Sequence, residues 1–277
     1  MTDINSYIRS MSTTLYDKCW WIDKIPPEID TVVDFGCAQG DLAAMIDRIC
    51  PGHFSYIGID NSPEMLERAR QNHEERFPDM PALFFEDVTE AEGIFDPDHS
   101  ILVMNSVMHE IFSYMDYENV VQLLMQLCIL QRFQYIAFRD MHWTASMQEH
   151  TFAPDIFDKV RRSDKHSKWE QVVSRAWESS AFFLDPTQFA LHEFLLKYRY
   201  DANWDREVNE RYLWGWVSRL FDIVDRVGYD LLDLYEVELQ NEFFIPFIRD
   251  RIRKDFGFDY PCNTHCKLLL RRREDEH

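Results

Sequence analysis

No stretch of the 277 residues approaches the roughly 18 consecutive apolar positions that a membrane-spanning helix requires. The apolar runs, such as ILVM at 101–104 and LLL at 268–270, are no longer than a β-strand. The opening MTDINSYIRSMSTTLYDKCWW places Asp3 and scattered polar residues where a secretion signal needs an apolar segment, so a soluble cytoplasmic protein is expected. Cysteine is sparse: six residues (19, 37, 50, 128, 262, 266) without the spacing of a secreted framework imply reduced thiols. Internal repeats, low-complexity tracts and Gly/Ser linkers are absent too, so composition announces no boundary. Basic residues are outnumbered, 29 Lys and Arg against 49 Asp and Glu, for a net charge of −20. That balance opposes wholesale wrapping by nucleic acid, which needs phosphates neutralised, but leaves room for a local basic site. Hydrophobic residues make up 46% of the chain and include 8 Trp, 12 Tyr and 21 Phe, which excludes a disordered chain and supplies a core.

Those apolar residues alternate in period. Strand-like runs fall at 31–35, 55–59, 82–86, 100–105 and 134–138, with helix-periodic segments between them. Leu42, Met45, Ile46 and Ile49 follow the spacing of one helical face. In NSPEMLERAR, Ser62 is positioned as an N-cap, with Pro63 at the first helical position and Glu64 in the first turn. NVVQLLMQLCIL predicts a third crossover helix. Strands alternating with helices in this way imply an α/β fold with a parallel sheet covered on both faces. After residue 140 the rhythm stops, and 142–203 fills a place where a short connection would serve. DPTQFALHEFLLKYRY predicts a helix capped by Asp185, and Leu213, Trp216, Val217, Leu220, Phe221 and Val224 mark another amphipathic helix. YDLLDLYEVEL at 229–239 and HCKLLLRRR at 265–273 complete a seven-stranded sheet. The expectation is a single domain over 1–277, with an N-terminal helical segment at 1–29 and a helical cap inserted at 142–203.

In an open parallel sheet, ligands bind beyond the carboxyl ends of the strands, so the turn in VVDFGCAQG is the natural cradle. The dinucleotide pattern G-x-G-x-x-G fails, because Ala38 and Asp41 stand where glycines belong. A phosphate-cradling P-loop fails as well. The fit is D-x-G-x-x-x-G, with Asp34, Gly36 and Gly40, which suits a ligand without phosphates that carries an ammonium and a sulfonium. This stretch resembles the first motif of the class I S-adenosylmethionine-dependent methyltransferases, which usually have Gly at the position of Ala38. The downstream segments agree: SYIGIDNSPEML brings Asp60 to the end of the second strand, LFFEDVTEAEG brings Asp87 to the end of the third, and ILVMNSVMHEIF ends the fourth at Asn105 and Ser106.

The resemblance implies a seven-stranded, mostly parallel sheet with helices on both faces. It implies S-adenosyl-L-methionine as cofactor, with S-adenosyl-L-homocysteine as product. Asp34, Gly36, Cys37, Ala38 and Gly40 would cradle its amino-acid end. Asp60 and Asn61 would meet the ribose, Asp87 and Val88 the adenine, and Asn105 the segment bordering the methyl group. Methyl transfer is an in-line displacement in which positioning can supply much of the acceleration, and a base is needed only where the acceptor sheds a proton early. SVMHEI offers His109 and Glu110 as the catalytic candidates, and FRDMHW offers Asp140 and His142 beyond the fifth strand. Amino-group DNA methylation is disfavoured, since NSVM stands where Asp/Asn-Pro-Pro-Tyr/Phe would be. Cytosine-C5 chemistry is disfavoured because Pro261–Cys262 lies near the last strand.

The acceptor is read from the insertion. Trp143, Phe152, Phe157, Trp169, Trp177, Phe182, Phe183 and Phe189 either line a pocket for a flat or apolar acceptor or form a core of their own. Tyr7 and Tyr16 either close over the cofactor or pack. Within 159–175, Lys159, Arg161, Arg162, Lys165, Lys168 and Arg175 face only Asp164 and Glu170, a net +4 that, with Trp169, could grip phosphates and stack a base. CNTHC offers Cys262, His265 and Cys266, three ligands where a closed zinc site wants four, and no metal is assigned. The leading expectation is methyl transfer to an O or N of a small molecule, without a membrane partner. RNA or a nucleotide-containing acceptor is the alternative, as is a catalytically silent binding protein of the same fold. Oligomeric state is not legible.

Overall fold

The computed structural model describes residues 15–179, 186–213, 216–237 and 248–273. Seven strands form one sheet: β1 (Thr31–Phe35), β2 (Ser55–Ile59), β3 (Ala82–Phe85), β4 (Ser100–Asn105), β5 (Tyr135–Met141), β6 (Tyr229–Val237) and β7 (His265–Arg272). Their order is β3-β2-β1-β4-β5-β7-β6. The first five pair in parallel, with Val33 opposite Ile57 on one side and Leu102 on the other. β7 runs against its neighbours. Its end meets the start of β5 through Arg272 N–H donating to Gln134 O (3.0 Å), and the start of β6 through Arg273 N–H donating to Gly228 O (2.8 Å).

Central strands covered on both faces need continuous apolar runs, and SILVMN in β4 is buried at all six positions. The sheet unit takes in 15–140, 216–235 and 266–273. One side of its core gathers Trp21, Val32, Leu42, Ile46, Tyr56, Leu66, Phe77 and Phe84. The helix Asp41–Ile49 buries Leu42, Ala43 and Ile46, while Ile49, expected on that face, is exposed as the helix ends. The helix Pro63–Arg76 begins as its sequence demands, with Ser62 Oγ accepting from Met65 N–H at 3.4 Å. The third crossover is the helix Tyr117–Met125, continued by a wider turn over Gln126–Leu130.

A second unit takes in 141–179, 186–213, 236–237 and 248–265. Its helices are Ala145–Glu149, Pro154–Arg162, His166–Ser179, Pro186–Lys197, Trp204–Glu207 and Asp250–Phe256. Their core joins Phe152, Trp169, Phe189, Phe194, Tyr198, Phe256 and Tyr260, with Trp143 and Phe157 packed against it. Trp177's side chain, Phe182, Phe183, Tyr7 and the capping position Asp185 lie outside the described residues, as do 1–14 of the expected N-terminal segment. All six cysteines are free thiols, and among the described residues no helix is long and apolar enough to cross a membrane.

Candidate active site

The turn after β1 is built by close approach. Gly36 and Cys37 both donate backbone N–H to Ile59 O, at 2.8 and 3.0 Å, which folds the loop back over the end of β2. Gly36 has φ +81°, and a Cβ there would lie 3.1 Å from Val107. Gly40 has φ +75° at the entry to the helix Asp41–Ile49. Ala38 takes φ +48° without being glycine, a left-handed geometry that costs an L-residue about 1–2 kcal/mol. Beneath the loop, a Cβ on Gly58 would fall 2.7 Å from Phe84 and 2.8 Å from Cys37 Sγ, so no side chain fits. Gly58 escaped the sequence reading, although a lone glycine inside an apolar strand is the standing signal for such an approach.

Asp60 directly follows β2 and ties this turn to the next. Its Oδ2 accepts from Ala38 N–H and its Oδ1 from Ser62 N–H, both at 2.9 Å. Asn61 beside it is exposed. Asp87 follows β3 by one residue and caps the turn Val88–Ala91, accepting from Thr89 N–H (2.8 Å) and Thr89 Oγ1–H (2.6 Å). Those two bonds hold its carboxyl below the usual carboxylate range. Val88 is buried.

Asp34, at the end of β1, is buried and accepts from Tyr56 Oη–H at 2.6 Å. Burial pushes its carboxyl up to about 6, against the opposing pull of the Tyr56 bond and the Lys18 charge. Lys18, on the short helix Leu15–Lys18, is itself buried, which brings its ammonium down to about 8.

At the ends of β4 and β5 the chain is again held in a costly shape. Ser106 takes φ +58°, with its N–H donating to Arg139 O at 2.7 Å and its Oγ accepting from Arg139 Nη1–H at 3.2 Å. Left-handed non-glycine residues that the surroundings hold in place concentrate at functional sites. Arg139, fully buried, also donates Nε–H to Asp17 Oδ2 (2.5 Å), and Lys267 Nζ donates to Asp17 Oδ1 (2.5 Å). Asp140 is the next residue along β5 and lies inside the strand, not beyond it as expected, because the pairing runs on past the apolar stretch to Met141. Its Oδ2 accepts from His109 N–H at 2.9 Å and its Oδ1 from His109 Nδ1–H at 2.7 Å. One carboxylate therefore fixes both the start of the helix Met108–Tyr114 and the imidazole on it. With Nδ1 protonated toward Asp140, the ring's basic nitrogen is Nε2. Glu110 stands half-buried in the same first turn.

The sheet unit thus brings together Asp34, Gly36, Cys37, Ala38, Gly40 and Asp60 around the first turn, and Asn105 and His109 at the end of β4. Asp87 and Val88 follow β3. His142 follows β5 in the second unit, donating its N–H to Thr264 O. Tyr56, Lys18, Asp17 and Arg139 were not singled out from sequence. Arg139–Asp140 left a readable signal, two charges inside a strand otherwise built of apolar residues, whereas Lys18 left none. In the second unit Trp169 is buried against Phe157 and Phe194, so it cannot stack a base. Lys159, Lys165 and Lys168 each pair with a carboxylate, those of Asp155, Asp164 and Asp201. Cys262 Sγ–H donates to Ser146 O at 3.4 Å.

Residues 32–128 match a family model described as a methyltransferase domain. A 76-residue stretch is 36% identical to the ribosomal protein L11 methyltransferase of Dechloromonas aromatica (strain RCB), covering 27% of this chain and 24% of that protein. The chain thus spans about a quarter of the curated relative it matches. Among solved structures, the methyltransferase domain of bacterial CtHen1-C superposes with a TM-score of 0.50 at 12% identity, covering 95% of this chain and 98% of that one. PKMT2 from Rickettsia typhi, solved in complex with AdoHcy, superposes at 0.51 with 13% identity over 90% of this chain and 49% of that one. Mitomycin 7-O-methyltransferase MmcR superposes at 0.50 with 14% identity over 94% and 54%. The fold is that of the class I methyltransferases, and the family match is confined to residues 32–128.

Proposed function

We propose that the chain is an S-adenosyl-L-methionine-dependent methyltransferase that alkylates an oxygen or nitrogen of a small molecule. The observation that carries this reading is the His109–Asp140 pair. It stands at the carboxyl ends of β4 and β5 in the same unit as the glycine turn, where an open sheet binds its ligands.

The residues fit the cofactor. The turn lets backbone approach closely at Gly36 and Gly40, Asp34 offers a buried carboxylate to an ammonium, and Asp60 and Asp87 offer further oxygens. Asn105 adds a buried Oδ1 without a hydrogen-bond partner among the described residues. When bound, the cofactor supplies an electrophilic methyl carbon on its sulfonium. His109 would take at Nε2 the proton that the acceptor's oxygen or nitrogen sheds on alkylation. Asp140 orients the ring and stabilises its charge. Such proton transfer contributes about 10²–10⁴ in rate. Burial of Trp169 and pairing of three of the lysines favour the small acceptor over RNA, since they remove the stacking surface and part of the charge.

Calorimetric titration with S-adenosyl-L-methionine and S-adenosyl-L-homocysteine tests the reading. Saturation at one site is expected, abolished by Asp34→Asn. Asp60→Ala is a poor control, because it also releases the loop at Ala38. Absence of binding by both compounds to the wild-type protein sinks the reading.

A further inference from the structure

Lys18 is a polar side chain near the turn that the described residues leave unanswered. It is only 6% exposed, yet its ammonium has no hydrogen-bond or ion-pair partner among the described residues, although it senses the charges of Asp34, Asp140 and Asp41. Each carboxylate near it is engaged elsewhere: Asp34 by Tyr56, Asp140 by His109, and Asp41 by Arg76. Asp17, its neighbour in sequence, is taken on both oxygens by Arg139 and Lys267. Arg139 adds a second buried cation that repels it.

A buried charge normally has a partner, because desolvation is too costly without one. The same neighbourhood holds two further unanswered atoms, the Nη2 donor of Arg139 and the Oδ1 acceptor of Asn105. Asn105 is tied directly to Lys18, its Nδ2–H donating to Lys18 O at 3.4 Å. Cationic donors without partners, set beside a buried carboxylate and a neutral acceptor, complement a zwitterion. An ammonium is received by Asp34 and Asn105, and a carboxylate needs a cation next to them.

We propose that Lys18 binds the carboxylate of the ligand's amino-acid moiety, opposite Asp34, which holds its ammonium; this rests on the proposed use of S-adenosyl-L-methionine. Lys18 is then a cofactor-binding residue supplied from ahead of the sheet, outside every motif that the resemblance named. The alternative is that it serves only as a counter-charge for Asp34 within the protein.

The test compares S-adenosyl-L-homocysteine with its decarboxylated analogue by calorimetry on the full chain. In the wild-type protein the analogue should bind at least about tenfold more weakly, the order of a charge-assisted hydrogen bond of about 1.5–3 kcal/mol. Lys18→Met should weaken S-adenosyl-L-homocysteine by about the same factor and leave the analogue unchanged, and Lys18→Arg should restore part of the loss. Equal wild-type affinities for the two compounds overturn the assignment while leaving the methyltransferase reading intact, and so does an equal loss for both in Lys18→Met. If neither compound binds the wild-type protein, the cofactor reading falls and this assignment falls with it. The wild-type comparison needs no variant, so a Lys18→Met protein that fails to fold does not shelter the proposal.

Discussion

Asp34, proposed above to hold the ligand's ammonium, works against the fold that carries it. Its folded carboxyl is raised to about 6 from 3.8, so protonation favours the folded state. That contribution is complete below about 3.8 and disappears as pH rises through about 6. At pH 7 the ionised, buried carboxylate therefore costs on the order of 3 kcal/mol. Asp34→Asn keeps an acceptor for Tyr56 and removes the charge. It should raise the unfolding midpoint at pH 7 by several degrees, at about 2–4 °C per kcal/mol, while abolishing cofactor binding. The stabilisation should shrink at pH 5, where the wild-type residue is already mostly neutral. Thermal scans at the two pH values decide it, and an Asp34→Asn protein no more stable at pH 7 than wild type counts against the burial account. At this level the sequence was legible where chemistry is local. Asp34, Gly36 and Gly40 stand in a pattern whose spacing is dictated by one turn. Lys18 and Tyr56 were not legible: Tyr56 meets its partner Asp34 22 residues away, Lys18 is set apart only by its burial, and an isolated lysine or tyrosine looks the same whether buried or exposed.

β5 carries a structural duty and, in the proposed reaction, a chemical one, and the two can be separated. Its apolar residues Ile136, Ala137 and Phe138 fill the sheet, and Arg139 and Asp140 follow as a buried charged pair. Asp140→Asn leaves the strand's packing in place but puts an amide where His109 Nδ1–H needs an acceptor. With a small-molecule acceptor in hand, turnover should fall by about 10²–10⁴ while cofactor affinity changes little. Ring ¹⁵N chemical shifts supply a second readout: the Nδ1-protonated tautomer of His109 should dominate in the wild-type protein and lose its preference in the variant. An unchanged tautomer with unchanged turnover removes His109 from the mechanism. Strands β1 to β4 were read nearly to the residue, since a two-sided buried strand writes a continuous apolar run such as ILVM, whereas β5 runs three residues past the expected 138 because the charged Arg139 and Asp140 break its apolar run. Element ends were less legible. Asp60 and Asp87 fall just past their strands rather than on them, because each carboxylate turns to accept backbone N–H groups that open the next element.

The molecule joins a sheet unit to a helical unit, and the latter has its own acid weakness. His192 is fully buried there, with Nδ1 against Tyr260 Oη at 2.8 Å and Nε2 without a hydrogen-bond partner among the described residues. Burial, followed by the nearby His150, lowers it to about 3. A histidine held neutral stabilises above its ordinary 6.5, and that stability is lost as pH falls from there toward 3, by up to about 1.4 kcal/mol per pH unit. Urea midpoints followed by tryptophan fluorescence should drop between pH 6 and 4, with a shallower drop in His192→Gln. Equal slopes in the two proteins refute this origin. The helical core also draws Ile248, Ile252, Phe256 and Tyr260 to residues of 147–213, a union between distant segments that no local pattern in the sequence could announce.

The position of β7 has a consequence for how the chain comes into being on the ribosome. Of the seven strands, the one latest in the sequence is not an outer one: it fits between β5 and β6. Until residues 265–272 emerge, β5 presents an open row of backbone donors and acceptors, and β6 has no neighbour in the sheet to hold it. Unpaired strand edges of this kind invite association with other chains. Nascent chains stalled before this point should be sticky and dependent on chaperones, and closure of the sheet should come as a late, cooperative event.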